Sequence, residues 1–436
     1  MDAESLAQLR GRIDAIRSAA GSAPPIDVCA HARDVVLIGS SSRGGSSIFA
    51  EVLRKSNGLT HLRAEINPVL RLHGLDSPTS DAIDEDTPIP AGLSDSIGAE
   101  CGNPSGLLEG ANAIRMFAVQ IAERMCLQWP TIAFDVEPLH ADVCAVLHDL
   151  RRLEGWEDGH FPDPQPFHAR LLARVRRRHP DVHPGAYDLD RRLLAEHCPD
   201  ALTTPFSPVS LVEEPPFVLT TPWTPVSIEA LTTRPLVIKT PGNAYRVPWL
   251  RRLFPHARVR VLHLTRNVAA SVNGLYDGWR YPAFHSHLST IPLAISGYSD
   301  TVLHGDRWWK FDRPPGWQAH RSSRLENVCA FQWQAAHTAI LATPGDRLRL
   351  SFEDVMAGGE RQSHALGALA LWLGVSVEPE LTRVLTGALP VVMATAQPRH
   401  RRWFARVDLL SPFLTDPSLR ALMERLGYDP DPSTYE

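Results

Sequence analysis

Lysine is nearly absent from this chain of 436 residues, while arginine, alanine and proline are abundant. We read that bias as the mark of a GC-rich bacterial genome. Basic charge is not in excess either: 44 Lys and Arg stand against 49 Asp and Glu, a formal charge of −5. That balance speaks against a nucleic-acid binder, which is usually basic. No two cysteines have C-x-x-C spacing; Cys29, Cys101, Cys126, Cys144, Cys198 and Cys329 lie far apart. Scattered thiols fit a reduced cytoplasm better than a disulfide framework or a zinc site, so a cytoplasmic location and no metal are expected. No apolar run is long enough to span a bilayer. The stretch from Met1 to Ala20 carries charges throughout, unlike the apolar centre of a signal peptide, and reads as a short amphipathic helix. No internal repeat is present.

What remains is ample material for a core, with 44% hydrophobic residues, and 37 prolines that imply long irregular connections. Asp34 to Gly39 is a short apolar run ended by glycine, the pattern of a buried parallel strand. A small-residue loop, Ser40 to Gly45, leads into a helix over 46–55, and Leu59 to Arg63 reads as a second strand: a βαβ unit. From Asp76 to Glu100 the chain is rich in Pro, Ser and acid, including Asp81, Asp84, Glu85 and Asp86, and reads as a solvated loop. Helices are expected over 110–129 and 137–153, with Thr131 to Asp135 a candidate strand between them. Residues 163–222 mix short helical pieces with many prolines. Regular alternation returns with strands over 235–239, 258–264 and 346–350. Helices near 244–254, 268–277, 324–341, 363–373 and 417–426 accompany them. Strands separated by helices argue for a three-layer α/β/α fold around a central parallel sheet.

Two segments carry chemistry. Gly39-Ser-Ser-Ser-Arg43-Gly44-Gly45-Ser46-Ser47 has nearly the P-loop spacing, G-x-x-x-x-G-K-[ST], with Gly45 where the lysine belongs and a cation, Arg43, two residues earlier. Small residues let backbone N–H groups close around phosphate oxygens, and the helix N-terminus adds positive potential. Taken alone, the segment fits an ordinary strand-to-helix turn with a surface arginine equally well. Leu264-Thr265-Arg266-Asn267 follows an apolar strand and opens a helix bearing Ser271. A guanidinium at the carboxyl end of such a strand points into the crevice where α/β sheets bind ligands, and suits a terminal phosphate. The bland alternative is a strand-end charge paired with a nearby acid.

Together, in this order, the segments resemble the PAPS-dependent sulfotransferase superfamily, whose donor is 3′-phosphoadenosine 5′-phosphosulfate (PAPS) and whose nucleotide product is adenosine 3′,5′-bisphosphate (PAP). Arg43, Gly44, Gly45, Ser46 and Ser47 match the family's 5′-phosphosulfate loop; Arg266 and Ser271 look like its 3′-phosphate motif. Lys239-Thr-Pro241, Phe254-Pro255, Ser351-Phe352-Glu353-Asp354, Trp403 and Leu426-Gly427-Tyr428 are similar to further family segments. The resemblance covers about residues 31–75 and 231–430. It implies a P-loop-like sulfotransferase fold with a large, mainly helical insertion. The expected domains are an N-terminal helix over 1–30, the core over 31–75 and 231–436, and an insertion over 76–230 that is a candidate acceptor-binding cap. Two departures stand out. The family's 3′-phosphate serine commonly lies eight residues after the arginine, where this chain has Gly274, and the loop cation is Arg43 where many animal members have lysine.

The implied reaction is an in-line displacement at sulfur, in which the protein positions donor and acceptor and stabilises spreading charge. A donor without a γ-phosphate leaves the P-loop lysine no target. Arg43, Lys239 and the loop amides are the expected charge stabilisers. Lys239 ends an apolar strand, and its alternative is a solvated strand-end lysine. Glu65 is the expected general base, with an ion pair to Arg63 or Arg71 as its alternative. Pro241 stands where the cytosolic branch has its histidine base, and His73, His285 and His287 are the remaining rivals to Glu65. Phe352 is expected to line the adenine pocket, or else to be a core aromatic. The partner is a small-molecule acceptor with a hydroxyl or amine, in the style of secondary metabolism. The aromatic run from Tyr276 to Trp317 suits its walls. A P-loop nucleotide kinase or a non-catalytic nucleotide-binding module are the alternatives.

Overall fold

The computed structural model describes residues 1–21, 24–77, 79–204, 206, 210–376, 379–386, 392–395, 399, 401–429 and 431–435. Among them the strands are β1 (Asp34–Gly39), β2 (Thr60–Leu62), β3 (Cys101–Pro104), β4 (Trp223–Pro225), β5 (Leu236–Lys239), β6 (Arg258–Thr265), β7 (His285–Leu288), β8 (Trp308–Lys310) and β9 (Arg347–Ser351). The chain divides into two compact units, one of residues 27–61, 76–89 and 227–436, the other of residues 1–26, 62–75 and 90–226.

The first unit is built on a parallel sheet. β1 lies between β5 and β6, β2 pairs with β5 on one side, and β9 pairs with β6 on the other. Val35, Val36, Leu37 and Ile38 of β1 are essentially inaccessible to solvent. That is why the run is continuously apolar: a strand covered on both faces has no polar side. Each such side chain is worth about 1.5–3 kcal/mol when fully buried. Helices Ser46–Leu53 and Gly359–Leu373 bury Phe49, Leu53 and Leu369 in one core, while helices Val268–Arg280 and Leu325–Ala342 bury Trp279 and Trp333 in another. The three-layer α/β expectation holds for this unit. The aromatic stretch after Tyr281 forms an antiparallel hairpin, β7 with β8, which no simple periodicity announced.

Register fixes the site. Ile38 is opposite Lys239, Gly39 is opposite His263, and Thr265 is opposite Ser351. The loop Ser40–Gly45, the turn at Thr240, the pair Arg266-Asn267 and the turn at Phe352 therefore all leave the same edge, at the carboxyl ends of parallel strands. That edge is where open α/β sheets bind ligands.

The second unit is mainly helical, with helices Ala3–Ala19, Gly110–Gln128, Val136–Glu154 and Pro164–Val175, and an antiparallel pair of β3 with β4. Phe117, Phe161 and Phe167 pack edge to face or tilted at its core. Its buried charges are paired: Glu100 with Arg63 and Arg124, and Glu213 with Arg124. Removing one member of such a set strands the other and costs about 3–5 kcal/mol.

The structure departs from the sequence expectations in particular places. Thr131 to Asp135 is no strand. It is the connection between two helices, in which Phe134 drops into the core and Asp135 caps the next helix by accepting from the Glu137 amide. β3 and β4 lie within 76–230, too short and too rich in Gly and Pro to show a period. Leu93–Glu100 is helical, and Asp81, expected in solvent, is buried. The helix expected over 244–254 is a 3-10 turn, Pro241–Tyr245, followed by a helix, Val247–Leu253, whose second residue, Pro248, suits a first turn.

Candidate functional site

The loop after β1 is tightly folded. Arg43 has φ 61 and Gly45 φ 94, both left-handed. A Cβ on Gly45 would lie 2.3 Å from the Phe352 ring, and one on Gly44 would lie 2.4 Å from Ser40 Oγ. Glycine is required at both places, at Gly45 for its backbone conformation as well as for space. Gly45 is also the N-cap of helix Ser46–Leu53 and has no side chain to satisfy the first-turn amides. Such an N-terminus is an electropositive, donor-rich end. Lys239 at the end of β5 donates from Nζ to Ser47 Oγ at 3.0 Å, on the first turn of that helix. The Arg43 guanidinium donates to the Met393 carbonyl at 2.7 Å and to Thr395 Oγ1 at 3.3 Å, and stands 5.3 Å from the Phe284 ring centroid.

Arg266 meets this loop. Its Nη1 donates to the main-chain oxygen of Arg43 at 3.3 Å, and its guanidinium carbon lies 5.0 Å from the Phe352 ring centroid. Arg43, Gly45, Arg266 and Phe352 are therefore one cluster. Burial lowers the Arg266 pKa from the ordinary guanidinium value; Glu353 opposes that shift and Arg402 adds to it. A desolvated guanidinium with a second cation acting on it favours an anion.

The helix carrying the second motif is well placed. Asn267 caps it, its side chain accepting from the Ala270 amide at 2.8 Å. Glu353 accepts from the Asn267 amide at 2.9 Å and from its side-chain nitrogen at 2.7 Å, and receives Tyr428 Oη at 2.8 Å and Ser351 Oγ at 3.0 Å. Glu353 and Tyr428 thus fix the cap that aims Arg266, a role the sequence signalled only as family-like segments. Ser271 is buried, and its hydroxyl has no hydrogen-bond partner among the described residues. Gly274, one turn on, faces the loop: a Cβ there would meet Arg43 Cβ at 3.4 Å, ordinary contact. Residues three apart share a helix face, so Ser271 and Gly274 lie on the same side. Ser41 Oγ of the loop is likewise buried without a partner among the described residues.

A second polar cluster underlies the loop. Asp312 accepts from Ser42 Oγ at 2.5 Å and from Tyr245 Oη at 2.6 Å. Burial pushes its carboxyl up to about 6, with Asp81 adding to the rise and the two hydroxyls opposing it. Burial also acts to raise Asp81, but His287, Arg246 and the Arg313 amide outweigh it and hold that carboxyl at about 2. Asp76, Asp81 and His287 place three potential ligand atoms within 4.8 Å of one another. The Arg313 guanidinium stands 3.7 Å from Asp76, so the group is a charge-compensated network facing a cation already.

Glu65 belongs to the other compact unit, half-buried between β2 and helix Asn67–Leu72. Nearby in sequence, Arg63 pairs with Glu100 and Glu123, and Arg71 with Glu214. Among the described residues, no helix is long and apolar enough to cross a membrane.

No family model and no curated protein sequence matches the chain. Two solved structures are similar to it. One is the sulfotransferase domain from the curacin biosynthetic pathway, at 12% identity, covering 92% of this chain and 99% of that one with a TM-score of 0.37. The other is sulfotransferase STF9 from Mycobacterium avium, at 11% identity, covering 94% of this chain and 82% of that one with a TM-score of 0.32.

Proposed function

We propose that the chain is a sulfotransferase that moves a sulfonate group from PAPS to a hydroxyl or amine of a small-molecule acceptor. The observation that carries this reading is the 3.3 Å bond from the Arg266 guanidinium to the backbone of the Arg43 loop. It makes two separated anion motifs a single cradle, suited to a nucleotide with a phosphate at each end.

The groups present fit such a donor. Gly45, Ser46 and Ser47 offer amides and hydroxyls to the 5′-phosphosulfate, the Gly44 amide closing the turn onto the Ser41 carbonyl, and Arg266 with Ser271 suits the 3′-phosphate. The buried Ser41 and Ser271 hydroxyls lack partners among the described residues. Each unmet buried group costs about 1–3 kcal/mol, and anion oxygens are the acceptors they lack. Phe352, beside both Arg266 and Gly45, offers the adenine a flat wall. The same ring argues against a nucleotide kinase, because the lysine that chemistry needs at position 45 would run into Phe352.

In the reaction, the acceptor oxygen or nitrogen forms a bond to sulfur as the bond from sulfur to the bridging phosphate oxygen breaks. The acceptor's proton passes to a base, and PAP leaves. Arg43, Lys239 and the loop amides stabilise the negative charge that gathers on the leaving phosphate. We assign the base to Glu65, whose substitution by Gln is expected to spare PAP binding and stop turnover; full activity in that variant removes it from the role.

Calorimetry with PAP tests the whole reading. The wild-type protein is expected to bind it without a divalent metal, and Arg266→Ala to weaken it by about 10–100-fold, the worth of a hydrogen bond to a charged group. Magnesium-dependent ATP binding with no affinity for PAP would reverse the assignment in favour of a kinase.

A further inference from the structure

The anion loop holds a conformation it would not keep unaided. A non-glycine residue in the left-handed region, as at Arg43, is disfavoured, and Gly44 closes directly onto Ser40 and Ser41. A loop of this kind must be fixed from outside. The residue before Arg43 is Ser42, and its hydroxyl reaches 270 positions along the chain to Asp312. The other oxygen of that carboxylate receives Tyr245 Oη, from the 3-10 turn that follows Lys239. Asp312 is itself immobilised. Its main-chain oxygen accepts from Trp309 Nε1 at 2.9 Å and from Gln332 Nε2 at 2.7 Å. Gln332 in turn accepts from Trp279 at 2.8 Å, so the main chain at Asp312 is held by β8 and, through Gln332 and Trp279, by both helices of that core.

A buried carboxylate next to a site for anions is a costly choice for mere stability, since it repels the ligand. The groups facing it are the Ser42 and Tyr245 hydroxyls and the Asp81 carboxylate, which is also negative. Its geometry explains its presence: both oxygens are used, one on each of the two segments that carry the expected charge stabilisers, Arg43 and Lys239. We propose that Asp312 is a positioning residue, acting through Ser42 to hold the 39–47 loop in its anion-binding shape and through Tyr245 to keep that loop in register with Lys239. The proposal rests on the sulfonate-transfer reading for the identity of the anion, and it concerns only the 5′ end of the nucleotide.

The test is a double-mutant cycle on PAP affinity, with Ser42→Ala, Asp312→Ala and the pair. Ser42→Ala is expected to weaken PAP by about 10-fold and Asp312→Ala by at least as much, because it also frees Tyr245; the double variant is expected to bind no more weakly than Asp312→Ala alone, because the Ser42 link is already gone. Adenosine 3′-monophosphate, measured by competition, is expected to lose less affinity than PAP in every variant, since it makes no use of the loop amides; a general loss of structure would weaken both ligands equally. Asp312→Asn, which keeps an acceptor for Tyr245 and a donor for Ser42, is expected to restore most of the affinity. Ser42→Ala is small enough to keep the fold should Asp312→Ala not. PAP affinity unchanged in Ser42→Ala, losses that multiply in the pair, or equal losses for the 3′-monophosphate would overturn the inference while leaving the function standing. A wild-type protein that binds no PAP overturns both.

Discussion

At the scale of the residue, the site is governed by which positions tolerate a Cβ. Gly45 tolerates none: its backbone is left-handed, and a methyl group there would stand 2.3 Å from the Phe352 ring. Gly274 is helical and has room at 3.4 Å. Gly45→Ala is therefore expected to cost about 2 kcal/mol of stability, from the left-handed backbone and the forced movement of the ring, and at least about 10-fold in PAP affinity. Gly274→Ala is expected to be neutral or stabilising by up to about 1 kcal/mol. Chemical denaturation and calorimetry on the two variants check the contrast; equal behaviour would mean that the loop is not closed as described. Much of this was legible in the sequence, because glycines flanking a cation after an apolar strand point to one kind of turn. The clash with Phe352 was not, since the ring comes from a distant part of the chain and no local pattern encodes that meeting.

At the scale of the element, β6 and the helix Leu325–Ala342 meet through two histidines. His263 Nε2 and His337 Nδ1 lie 2.9 Å apart, both fully buried. Burial pushes them down, to about 2 and about 3 respectively, and the neighbouring His337 adds to the fall at His263. An unfolded histidine takes up its proton near pH 6.5. Between that pH and about 3, the unfolded chain binds protons that the folded chain refuses, so stability falls as pH falls. The slope is about 1.4 kcal/mol per pH unit for each such histidine. Urea denaturation between about pH 7 and 4.5 should show this acid loss, and His337→Gln should reduce the slope by about one proton. A slope unchanged in that variant would mean that His337 is charged or exposed in the fold. The strands themselves were readable because covered strands are continuously apolar. What escaped were elements made by partners rather than by period: the β7–β8 hairpin inside an aromatic run, the short β3 and β4, and Asp81, whose polar surroundings resemble a solvated loop until His287 and Arg313 close on it.

At the scale of the whole molecule, sequence and structure divide the chain differently. The sequence places the helical insertion over 76–230, whereas the compact helical unit takes in residues 1–26 and 62–75 and gives up 76–89. A boundary of this kind follows packing, which pairs segments far apart in sequence, and so leaves no composition shift to find. The donor groups, Arg43, Lys239 and Arg266, all lie in the sheet unit. The central claim concerns the donor groups alone: two strand ends of one sheet make a single cradle for both ends of an adenosine bisphosphate. A crystal structure of the protein with PAP tests it most directly. One bound nucleotide is expected, with its 3′-phosphate on Arg266 and its 5′-phosphate against the amides of Gly45 to Ser47. A nucleotide that touches one of these groups and not the other, or that binds elsewhere, would contradict it.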